Sequence, residues 1–271
     1  MRPGKLALTA VGIILTLALV IWRPWNPRQE SAEEEAGPRA YRFAMDYTAA
    51  DVRGHVTHRQ HVEATCTRGR PGGDVVWNDV SVAEADGASA PLGEPRARAF
   101  MEGFRYRRSP TTMDEMFAPG FFENAPPTAI IERNLVWDVE ALDMFAQALD
   151  HLEPNEPYRL LSSQTVRMPG IGTFHNRDVQ LILTGRSQRN GQDCAVIDYR
   201  AYFNPLSIAN GGMTLVGRSH YWGQIWVALA TGQIEYATLF EDVLGEMQLP
   251  GQDRQVVDVF RNGVLEPRAR R

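Results

Sequence analysis

Between Asp178 and Phe203 apolar and polar residues alternate on both sides of Asn190-Gly191. Val179, Leu181 and Leu183 share one face of the first arm; Ala195, Ile197, Tyr199 and Phe203 share a face of the second. A period of two belongs to strands, whose successive side chains point to opposite faces. Asn-Gly suits a type I′ turn, because both central residues of that turn need positive φ. So long a hairpin must bury one face, which commits the chain to a sheet protein with a covering layer.

The rest of the chain repeats the pattern. Tyr41, Phe43 and Met45 alternate with Arg42, Ala44 and Asp46, and Val75–Ala83 alternates around Val76, Val80 and Val82 until Asp86-Gly87. A second hairpin spans Met213–Leu239 across Ala230–Gln233, with Ile225, Val227 and Leu229, then Ile234, Tyr236 and Phe240, as its apolar positions. A last strand covers Gln255–Arg261. One segment has the other period: Leu135, Val139, Leu142, Phe145, Leu149 and Leu152 recur on one helical face. Asn134 or Asp138 is the expected cap, and Pro154 and Pro157 the expected stop. Ala88–Pro127 is Pro-rich and irregular, with an aromatic patch at Phe117, Phe121 and Phe122. Trp222 and Trp226 lie opposite Tyr221, Ile225 and Val227, so that strand is expected to be covered on both sides.

The N-terminus has a different character. Leu6–Trp22 is an uncharged apolar run with Arg2 and Lys5 before it and Arg23 and Arg28 after it. As a helix it reaches about 25 Å, the thin end of what crosses a bilayer. No Ala-x-Ala site follows it, and Trp22 and Trp25 suit the headgroup region. The run is therefore expected to be an uncleaved signal-anchor, with Leu6, Ile13, Leu17, Ile21 and Trp22 in the membrane; a cleaved signal peptide is the alternative. The flanking charges nearly balance, and the short tail against a long exported domain sets the orientation. The expected organisation is an anchor at 1–26, a polar linker at 27–40, one extracytoplasmic β-rich domain at 41–266 and a basic tail at 267–271. That places a single-pass protein in the inner membrane with its domain on the periplasmic side.

A net charge of −5 and the lack of a basic, aromatic-laced stripe argue against a nucleic-acid partner. Cys66 and Cys194 are the two cysteines; an exported domain is able to join them, and two buried free thiols are the equal alternative. His55, His58 and His61 sit in a segment that reads as strand, where their spacing is too wide to chelate one ion, so no metal is expected. Ser219 and His220 are strand neighbours pointing to opposite faces, which does not make an activated nucleophile. Asp242 and Glu246 read as a solvated edge. No P-loop, H-E-x-x-H, C-x-x-C or dinucleotide fingerprint occurs, and no cofactor is expected. The densest aromatic stretch holds Tyr199, Tyr202, Phe203, Tyr221, Trp222 and Trp226, interleaved with Arg200 and Arg218. It reads either as packed sheet core or as an interface or apolar groove.

The strand ending Ile225-Trp226-Val227-Ala228-Leu229, the turn Thr231-Gly232, the return strand Gln233–Leu239 and the hairpin through Asn190-Gly191-Gln192-Asp193-Cys194 carry a likeness. Over about 90 residues the chain resembles the half-barrels of periplasmic lipoprotein carriers and their mycobacterial lipid-binding relatives. The resemblance implies a curved antiparallel sheet with helices on its concave side and an apolar cavity between. The fold class is thus mainly β (α+β): a membrane helix, then a curved sheet or half-barrel with one or two covering helices. A courier must leave its membrane, and an anchored domain does not. The first functional reading is a non-catalytic accessory or scaffolding subunit docking on a larger membrane complex. The alternative is a binder of a lipid or other hydrophobic small molecule, which requires a cavity of at least about 300 Å³. A hydrolase comes third and requires polar groups converging in a cleft.

Overall fold

A computed structural model describes residues 36–268 apart from 70–72, 109–115, 117–119, 123–124, 127–128, 162, 169–171, 211 and 252. The expected anchor lies outside these residues. Among those described, no helix is long and apolar enough to cross a membrane.

Thirteen strands join one curved antiparallel sheet. The first block is β1 (Arg39–Asp51), β2 (Val56–Arg68), β3 (Asp74–Asp86), β4 (Arg96–Ala97) and β5 (Phe104–Arg107). The helix α1 (Ile130–Gln147) follows, then β6 (Pro157–Leu161), β7 (Gln164–Met168) and β8 (Gly172–Asn176). The long strands are β9 (Val179–Arg189), β10 (Gln192–Asn210), β11 (Met213–Ala228), β12 (Ile234–Gln248) and β13 (Gln255–Pro267). The order across the sheet is β4-β3-β2-β1-β13-β12-β11-β10-β8-β7, with β5 on β3 and β9 on β10, and β6 on β9. The chain's last strand therefore lies between its first strand and β12.

The Asn190-Gly191 turn forms as its chemistry requires, with φ of 51° and 75°. Val179, Leu181, Ala195, Ile197 and Tyr199 all reach the core. Two β-bulges, which the residue types do not announce, redirect other side chains. The register of β10 against β11 shifts between Ala201 and Asn204, where Phe203 takes a φ of 57° and turns outward, 55 % exposed. An extra residue in one strand breaks the two-residue period. A second shift lies at Trp226/Val227. It hands the inner face of β12 to Ala237 and Leu239 and leaves Tyr236 and Phe240 half-buried on the other side.

α1 lies on the inner face, and Leu135, Val136, Val139, Leu142 and Phe145 are buried there. Among the described residues it is the one α-helix of the cover; Ala99–Met101 and Ala148–His151 are short 3-10 turns. Neither expected cap is used. The helix begins one turn earlier, after Ala129, with no side-chain cap bond, because Asp138 is spent inside the protein on an arginine. Cys66 and Cys194 are both buried and free, so the disulfide is not formed. They stand on β2 and β10, with β1, β13, β12 and β11 between.

Candidate functional site

The inner face is as much ionic as apolar. Glu132, Asp138, Glu140 and Asp143 of α1 are buried. Arg98 meets Glu132 at 2.9 Å. Glu140 accepts from Arg68 (2.8 Å) and from the Tyr106 hydroxyl (2.6 Å). Asp143 takes Arg68 at 2.9 Å, Arg108, and the Gln147 amide at 2.8 Å. In that group two guanidiniums serve two carboxylates. The neighbouring group is unbalanced, because among the described residues Arg261 alone serves Asp138 (2.8 and 3.1 Å) and Glu241, with Ser219 donating to Glu241. Burial, opposed by Arg261 and reinforced by Glu241, pushes the Asp138 carboxyl up to about 6.

These pairs and the packed helix occupy the space that the half-barrel resemblance assigns to an apolar cavity. A cavity of about 320 Å³ lies elsewhere, at the margin of β5, lined by Phe100, Phe104, Arg105, Gly120, Phe121, Phe122 and Ala125. Phe104 stacks on Phe122 at 4.7 Å, and Phe121 meets both rings edge-on.

The outer face of β10–β13 is built by cross-strand register. Directly opposed residues share a face, so Val216–Glu246–Val256, Arg218–Leu244–Asp258, His220–Asp242–Phe260 and Trp222–Phe240–Asn262 form four successive outward rows. Their aromatics touch. Trp222 stacks on Phe240 at 5.9 Å, Phe240 on Phe260 at 6.4 Å, and Phe203 meets His220 at 4.7 Å. Of nine large apolar side chains exposed among the described residues, six lie here: Tyr202, Phe203, Val216, Leu244, Val256 and Phe260. The concentration matters, since single exposed apolar residues are ordinary and a contiguous patch marks an interaction surface.

Inside this patch His220 Nε2 has no hydrogen-bond partner among the described residues, and Asp258 shares a carboxyl–carboxyl hydrogen bond with Asp242. Partial burial and the facing Asp242 carboxyl push Asp258 up to about 6.

The aromatic stretch singled out in the sequence is divided between the faces. Tyr199 is core, its hydroxyl donating to the Thr238 carbonyl at 2.7 Å, and Tyr221 points inward to Asn176 at 2.8 Å. Tyr202, Phe203, Trp222 and Arg218 belong to the outer patch, with Arg218 over the Phe203 ring. Arg200 is held by Gln180 at 3.1 Å beside it. Trp226 sits apart, against Tyr236 at 5.3 Å. Sequence reading misses Leu244, Val256, Asp258 and Phe260 as site residues, and takes Asp242 for solvated edge. The available signal is the outward alternation Val216-Arg218-His220-Trp222, read together with its partners across the turns. Ser219 faces inward and His220 outward, so they do not pair. His61 bonds Asp46 at 2.7 Å and Glu63 at 3.3 Å, while His58 bonds Asp86 at 3.0 Å, so the two histidines share no acid. No group of three or more metal-ligating side chains occurs among the described residues.

No protein-family model and no curated protein sequence matches this chain. Two solved structures are distantly similar. One, described as lipid–protein interactions in lipovitellin, shares 12% identity over 86% of this chain with a TM-score of 0.43. The chain spans 25% of that structure's length. The other, a putative exported protein with a YmcC-like fold from Bacteroides fragilis, shares 10% identity over 80% of this chain and 93% of its own, with a TM-score of 0.19.

Proposed function

We propose that the protein is a non-catalytic, membrane-tethered accessory subunit that docks on a larger membrane complex through the outer face of β10–β13. The observation that carries this reading is the gathering of six exposed apolar side chains on one sheet face. The partner is a protein surface that brings aromatic or aliphatic side chains to Phe260 and Leu244, and a basic side chain to Asp258.

Solubilised from its native membrane in mild detergent, the full chain is expected in a particle heavier than the monomer. Phe260→Asp should weaken that association by at least about 2 kcal/mol, roughly thirtyfold, with the melting temperature little changed. A basic partner binds the ionised form of Asp258. Below a pH of about 6 the carboxyl is protonated, so association should weaken on going from pH 7 to pH 5. Recovery of the wild-type chain as a lone monomer would sink the proposal.

The half-open cleft beside β5, rimmed by aromatic rings but with Arg105 and a mainly polar exposed lining, is the basis of a second reading, the binding of a small amphipathic ligand. At about 320 Å³ it is at the lower end of ligand-site volumes. A fluorescent fatty acid should then saturate at one site per chain, with at least about a tenfold loss of affinity in Phe121→Ala. Uptake that never saturates, or that ignores the substitution, would count against it.

A further inference from the structure

Across β11, β12 and β13 one outward row reads Arg218–Leu244–Asp258, a cation, an apolar residue and an acid in that order. Two strand spacings separate the charged residues, about 10 Å. Among the described residues neither charge has a counter-ion. Arg218 is exposed over the Phe203 ring, and Asp258 shares its hydrogen bond with another acid, Asp242.

A row of this order is complementary to itself. A two-fold axis through Leu244, parallel to β12, lays the β11 side of one copy on the β13 side of the other. Arg218 of each copy then faces Asp258 of the other, and Leu244 meets Leu244. The neighbouring rows follow: Val216 faces Val256, His220 faces Phe260, and Phe240 meets Phe240. Two acids of β12 also fall on the axis. Glu246 is held by Arg254 at 3.1 Å, and Asp242, hydrogen-bonded to Asp258, lies within reach of the same arriving guanidinium. Packed sheets align their strands within about 30°, a rotation that the length of an arginine side chain absorbs.

The direction of the axis matters. An axis across the strands, through the same row, would set Arg218 on Arg218 and Asp258 on Asp258, a juxtaposition of like charges that interfaces avoid. The axis along β12 also keeps the Arg39 ends of both copies on one side, as two chains tethered to one membrane require.

We propose that the outer face of β10–β13 pairs with the same face of a second copy of this chain, as a two-fold dimer centred on Leu244. The inference rests on the reading of this face as the docking surface and names its partner. The larger assembly then takes in the chain as a pair.

In the test the full chain is purified in mild detergent and its mass is read by light scattering, with the bound detergent subtracted. The wild type should appear at twice the 30.4 kDa of one chain. Arg218→Asp and Asp258→Arg, each alone, set like charges together, and each should raise the dimer dissociation constant at least about tenfold. Mixed one to one, the two variants form a pair in which every acid again faces an arginine, so the dimer should return. Misfolding at either position is not repaired by mixing, so recovery reports the contact itself. Equal dimer in the wild type and both single variants, or no recovery on mixing, overturns the proposal. A wild-type chain that is monomeric when pure, yet leaves its native membrane in a heavier particle, refutes self-pairing and keeps the docking reading. A monomer in both settings refutes both.

Discussion

Replacing Arg261 with alanine is expected to cost about 3–5 kcal/mol in a urea unfolding measurement, the range for breaking a buried ion pair from one side. Among the described residues the guanidinium is the one cation that reaches both Asp138 and Glu241, and all three groups are buried. Its removal leaves two carboxylates facing each other under the sheet. The penalty is therefore not the worth of a contact but the desolvation of charges left behind. Adding Asp138→Asn and Glu241→Gln to Arg261→Ala should recover a large part of the loss. A loss below about 1 kcal/mol in the single variant would mean that water enters the group, and that the layer is not dry.

The second large effect is expected at Phe145. Its ring is 1 % exposed and lies 4.9 Å from Tyr199, beneath the middle of the sheet. Phe145→Ala should lower stability by about 3–5 kcal/mol, as for other fully buried aromatic truncations. Leu149→Ala, two positions past the end of α1 and only partly buried, should cost clearly less by the same measurement. Equal losses at the two positions would show that α1 is not seated on the sheet through the Phe145 side.

The layout of strands was legible wherever a local rule decided it. Asn190-Gly191 set its turn, and alternation through Val179–Leu183 and Ala195–Tyr199 set the buried face. The helical period from Leu135 to Phe145 was equally clear. What escaped depends on pairing. A bulge at Tyr202-Phe203 or at Trp226/Val227 is a property of two strands in register, so neither strand alone contains it. The burial of the four acids of α1 was not legible, and Asp138 was taken for a helix cap, because Arg98, Arg68, Arg108 and Arg261 come from other strands and loops, in the case of Asp138 from 123 residues away. The candidate docking face was half visible for the same reason. Tyr202, Phe203, Trp222 and Arg218 fell in one aromatic-rich stretch, whereas Leu244, Val256 and Phe260 arrive from the next two strands.

The position of β13 sets a timetable for the chain. β1–β5 form one ladder and β6–β12, minus the helix, another. Only β13 joins the two, through β1 on one side and β12 on the other. Without β13 the two ladders share no strand pairing among the described residues, and side-chain bonds such as Arg39 to Glu235 and the Gln233 amide to the Gly37 carbonyl are what cross between their strands. The closing pairing, Tyr41 with Pro267, spans nearly the whole domain, so completion waits on the slowest kind of contact to form. A truncation that removes the thirteen residues of β13 should therefore leave two unjoined ladders rather than a slightly weakened whole.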